Sequence, residues 1–262
     1  MVVGSVAVLV AFVFASERLP WTRWHERWNF ANQALMIALA MGPICFGLVR
    51  GREYGLRVGD WRRRVAVGLG LVAVVLLPAV VVGGMTGGLS WDPQLTRYPI
   101  ATPLFQLVFV AFGEEFFFRG LCQSELNRAW GRRMRLGRTR FGWGVLTIAL
   151  VFGVGHLLNP WWGGGDGVSW LGLFSAGGFA LAAGLLRERF DGLVVPVILH
   201  AGVNFYFVWI DGTPTSDWVY AGSLVLVYGL IVLWLAIEGR GDSSEAGAMA
   251  GGAGADERSS VA

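Results

Sequence analysis

Long apolar runs separated by short clusters of arginine limit what this chain can fold into more than any other feature of its 262 residues. A helix that crosses a bilayer needs about 20 mostly apolar residues. Runs of roughly that kind lie at Met1–Ala15, Asn29–Val49, Val65–Gly83, Leu104–Phe118, Phe141–Leu158, Ser169–Leu186, Leu193–Ile210 and Trp218–Ile237. Hydrocarbon cannot satisfy exposed backbone N–H and C=O groups, so helices are expected for all of them. Composition agrees. Hydrophobic residues make up 55% of the chain and charged residues 15%, against about 25% charged in a soluble domain. The fold class expected is all-α, a polytopic transmembrane helical bundle of about eight spans, with residues 1–238 as a single domain. The first run lacks a basic leader and a good cleavage site, and is read as a retained span, not a signal peptide. Residues 239–262 are Gly, Ala, Ser and acid without apolar periodicity, and are expected to be a disordered tail.

All 21 basic residues are arginine. Seventeen of them fall in the second, fourth and sixth loops and the tail, and basic loops stay cytoplasmic. The expected location is therefore the cell membrane, multi-pass, with both termini cytoplasmic. The first loop, with Arg18, Arg23 and Arg27, is a local exception. Because the arginines border apolar spans, the net charge of +3 points to the lipid bilayer as partner and to no nucleic acid. Cys45 and Cys122 form no metal or redox spacing and are read as packing residues. Tryptophans at 21, 24, 28, 161, 162 and 170 suit the headgroup level.

Ionisable side chains within a span are costly and mark functional candidates. Two acids, Glu114 and Glu115, sit well inside an apolar stretch, and so do His156 and His200. His25, in an Arg- and Trp-rich loop, is read as interfacial. Residues four apart share a helical face, so Glu115 is expected to pair with Arg119. Glu114 is turned about 100° away and is expected to lack that partner, which leaves it free to act as a base. His200 and Asn204 share a face as well. Each group alone is ordinary interhelical glue. Three clusters on three separate spans are better explained by one site.

Peptide hydrolysis needs a base for water and donors for the oxyanion. Glu114 with His156 supplies the first need; His200 with Asn204 supplies the second. The alternative is a Zn²⁺ ion held by Glu114, His156 and His200, which would acidify a bound water.

These residues also carry a resemblance. Glu114-Glu115-x-x-x-Arg119, Phe152-x-x-x-His156 and His200-x-x-x-Asn204 resemble, in order, the three motifs of the CAAX protease and bacteriocin-processing (CPBP, or Abi) family of intramembrane proteases. The likeness covers about residues 104–207, with Gly120 and Pro196 as supporting details. It implies an all-helical fold and an active site in the membrane opening to the cytoplasmic side. It implies Glu114 and His156 as the water-activating pair, His200 and Asn204 completing the site, and Glu115 and Arg119 in support. Cofactor is either none or Zn; the substrate implied is a peptide or a membrane-protein segment. Two other functions fit the composition: a non-catalytic peptide-binding or bacteriocin immunity membrane protein, and a proton-coupled transporter. The transporter would need broken helices in matching halves, and no internal repeat is evident.

Overall fold

The computed structural model describes residues 3–8, 11, 30–57, 59–87, 90–91, 98–157, 170–211 and 214–238. Most of the first predicted span, the loop with His25, the 158–169 segment and the tail lie outside them. Seven helices account for most of the remainder: α1 (Phe30–Cys45), α2 (Trp61–Met85), α3 (Ala101–Trp130), α4 (Trp143–Leu157), α5 (Trp170–Phe190), α6 (Val194–Trp209) and α7 (Pro214–Ile237). They coincide with the second to eighth apolar runs.

By length and composition, three of the helices among the described residues are able to cross a membrane: α2, α3 and 218–237 within α7. Ala31–Cys45, Trp143–Leu157 and Val194–Tyr206 are apolar but shorter. The count of about eight spans thus remains a reading of hydropathy. Large apolar side chains point outward along α2 and α7, among them Leu69, Leu77, Val225 and Leu233. A soluble protein rarely exposes so much apolar surface; a protein bathed in lipid has reason to. The chain is a mostly helical membrane protein.

The fourth run was expected to stop at Phe118, where charge begins. Instead α3 continues to Trp130, because Arg119 is neutralised within the bundle. Two stretches of α3, Phe105–Phe112 and Phe116–Gln123, are wound as π-helix on either side of Gly113–Glu115. Wider winding of this kind is rare and concentrates at functional sites.

Small residues set the packing. Gly68 on α2 lies against Ile198 of α6, and Gly202 on α6 lies against Val72 of α2, so each helix presents a hollow for the other's branched side chain. On α4, a Cβ at Gly153 would stand 2.9 Å from the Leu173 carbonyl of α5. Close approach through small residues is how helices associate without a hydrophobic driving force. Tyr206 and Tyr220 stack with ring centroids 4.2 Å apart, and the Tyr220 hydroxyl donates to the Val203 carbonyl at 2.6 Å. This joins α6 to α7.

Four short strands and the 3₁₀ turn Gly51–Tyr54 lie among the helices. β1 (Ser90–Trp91) pairs antiparallel with β4 (Ile210–Asp211), Ser90 opposite Asp211. β2 (Arg133–Leu136) and β3 (Thr139–Gly142) form a hairpin with Arg133 opposite Gly142. The hairpin occupies the fourth loop, between α3 and α4, in a chain whose sequence led to the expectation of an all-α fold.

Candidate active site

The structure brings Glu114, Glu115 and Arg119 of α3, His156 of α4 and His200 of α6 into one cluster. Glu115 and Arg119 are the innermost pair, both side chains fully buried, with Nη1 to Oε1 at 3.1 Å. This is the predicted four-residue pair. The same Oε1 accepts a hydrogen bond from His200 Nδ1 at 2.9 Å. Glu115 therefore ties α3 to α6, a role beyond the neutralisation expected of it.

Aromatic rings confine the guanidinium. Its carbon lies 4.7 Å from the Phe152 ring centroid and 5.2 Å from that of Phe179. Cation–π attraction is strongest where water is excluded, which fits an arginine whose nitrogens have no well-aligned hydrogen-bond acceptor. Phe152 entered the sequence reading only as a motif position. Here it also packs on His156, centroids 4.6 Å apart, and meets His200 edge-on at 6.3 Å. One ring thus spaces both histidines and the buried cation. Phe179, 4.7 Å from the His200 ring, was not anticipated at all.

Among the described residues Glu114 makes no ion pair with Arg119, which bonds Glu115 instead. Gln33 of α1 donates from Nε2 to the Glu114 Oε1 at 2.9 Å. Sequence spacing could not show that bond, because tertiary packing brings the donor from a helix remote in sequence. The other oxygen, Oε2, stands 3.8 Å from His200 Nε2. This gap is too long for a direct hydrogen bond and suits a bridging water.

His156 donates from Nδ1 to the Phe152 carbonyl at 2.8 Å. A carbonyl only accepts, so Nδ1 holds the proton and the neutral ring keeps its lone pair on Nε2. That lone pair is the form needed by a base. The ring lies within electrostatic range of Glu114, His200 and Arg119. Asn204 follows one turn after His200 on α6 and is half-buried. It is not among the residues hydrogen-bonded to the carboxylates, which leaves its amide for another partner.

Along the helices, at about 1.5 Å per residue, His200 lies roughly 9 Å from the start of α6, Gln33 about 18 Å from the end of α1 and His156 about 20 Å from the start of α4.

Among the described residues, no three His, Cys, Asp or Glu side chains converge closely enough to hold a metal ion. His200 keeps Nε2 and Glu114 keeps Oε2 beyond their bonds to Glu115 and Gln33, so it is the spacing of the three side chains, not their chemistry, that differs from a closed zinc site.

Comparison with known families adds one match. Residues 96–206 match the family model described as type II CAAX prenyl endopeptidase Rce1-like. No curated protein and no solved structure matches the chain. The matched segment holds Glu114, Glu115, Arg119, His156, His200 and Asn204 together, and over that segment the chain is similar to the Rce1-like CAAX endopeptidase family that its three motifs resemble.

Proposed function

We propose that the protein is an intramembrane endopeptidase that hydrolyses a peptide bond with water activated by Glu114 and His156. The observation that carries this reading is the meeting of α3, α4 and α6 at Glu114, His156 and His200 within the segment that matches the family. Glu114, steadied by Gln33, takes a proton from a water held against its free oxygen. The lone pair of His156 assists as a second base and returns a proton to the leaving amine. The Asn204 amide, on the same face of α6 as His200, donates to the oxyanion on the scissile carbonyl, and His200 adds a second donor from Nε2 in its imidazolium form, with Nδ1–H held by Glu115. Glu115, Arg119 and the two phenylalanines hold His200 in place. Substrate is a peptide or membrane-protein segment that enters from the bilayer, without a prenyl requirement.

Cleavage by the detergent-purified protein is the test, and Asn204→Ala reads the oxyanion step. Loss of such a donor lowers kcat about 10²–10³-fold, with KM little changed. Zinc content near zero and full activity in chelator accompany that result. Stoichiometric zinc, lost together with activity on chelation, overturns the metal-free mechanism.

A further inference from the structure

A second polar cluster lies away from the catalytic groups, where the arginine-rich ends of α3 and α5 meet the 3₁₀ turn Gly51–Tyr54 and the start of β2. Between them is a cavity of about 320 Å³, at the lower end of the roughly 300–1,000 Å³ usual for small-ligand sites. Arg52, Arg57, Arg128, Arg133 and Arg187 line it, with Glu53, Glu188 and Asp191 as its acids. The acids are already engaged. Asp191 pairs with Arg57, and Glu53 with Arg128. Glu188 accepts from Gln123, Asn127 and Arg187 through one oxygen and from Arg133 through the other.

Positive charge is left over. Arg133 and Arg187 share a single carboxylate, and among the described residues the Arg52 guanidinium has neither an ion-pair nor a hydrogen-bond partner. Arg187 is 8% exposed, and its Nε is buried without an acceptor. Arginine's planar fork matches phosphate oxygens in pairs. Basic pockets between helices at a membrane surface are a known form of headgroup site. We propose that this cavity binds a phosphate group, carried by an anionic phospholipid headgroup or free in solution. The proposal does not depend on proteolysis.

The experiment uses the full chain in detergent. Native mass spectrometry measures binding of dioleoyl phosphatidylglycerol, and thermal shift measures binding of inorganic phosphate. Arg52→Gln combined with Arg133→Gln is compared with Arg62→Gln combined with Arg140→Gln, which removes equal charge outside the cavity. The first pair should weaken binding roughly tenfold or more, and the second should leave it unchanged. Arg52→Gln alone, which breaks no contact, should show a smaller loss in the same direction and guards against misfolding. Lipid binding that phosphate displaces assigns the site to a headgroup. Phosphate binding without lipid binding assigns it to a soluble anion. Equal losses in the two double variants, or no binding of either probe, overturn the proposal.

Discussion

Glu114 and Glu115 are neighbours in sequence with different duties, and substitution should separate them. Glu115 balances a fully buried guanidinium and accepts from His200, so Glu115→Gln strands a buried charge. Removing one partner of a buried pair costs about 3–5 kcal/mol. Glu114→Gln keeps an oxygen for Gln33 and leaves the Arg119 pair intact. Thermal unfolding in detergent should show a clear drop for Glu115→Gln and little for Glu114→Gln; equal midpoints would remove the distinction. Gln33 acts through Glu114 as a positioning residue. A hydrogen bond to a charged group is worth about 1.5–3 kcal/mol, so Gln33→Leu should lower kcat roughly 10–100-fold with KM unchanged, and shift the pH profile of kcat. An unchanged kcat and profile would make Gln33 a bystander. Much of this scale was legible in the sequence, because four-residue spacing fixes which side chains share a face, as for Glu115 with Arg119. Gln33 was not. A lone amide in an apolar helix carries no spacing signal, and only packing shows what it meets.

The helices were legible as apolar runs, but their ends were not. Charge at Arg119 looked like a boundary until pairing made it tolerable inside α3. The β2–β3 hairpin was hidden because arginine-rich sequence between spans reads as loop, and its strands of four residues are too short for a pattern. Gly137 at the hairpin turn lies against the carbonyls of Leu235 and Glu238, so the hairpin packs on the end of α7. Nearby, Arg189 of α5 donates to Glu238 just beyond α7, Nε to Oε2 at 2.7 Å. Hydrogen bonding from Arg189 holds the Glu238 carboxyl below its ordinary value of 4.5, against an opposing effect of burial. A carboxyl lowered on folding stabilises above its unfolded pKa and loses that effect as pH falls through the folded one. Glu238→Gln should therefore lower the unfolding midpoint at pH 7, and the difference from wild type should close as pH drops below about 4.5. A gap that persists or widens in acid would mean that the pair does not act through charge.

Across the whole molecule, the task the proposed function gives the bundle is to hold water-activating groups where a substrate segment can reach them. Gln33, His156 and His200 come to the cluster from three separate helices. Sequence gave their order; only the folded arrangement gave their distances. The central claim is that Glu114 and His156 activate water for peptide hydrolysis, and general-base help is worth typically 10²–10⁴-fold. The most direct measurement is cleavage of a peptide library by the detergent-purified protein beside Glu114→Gln and His156→Ala, each first shown to be inserted and monodisperse. The account predicts cleavage by the wild type and a loss of at least about a hundredfold in both variants. Cleavage by either variant at the wild-type rate would contradict it.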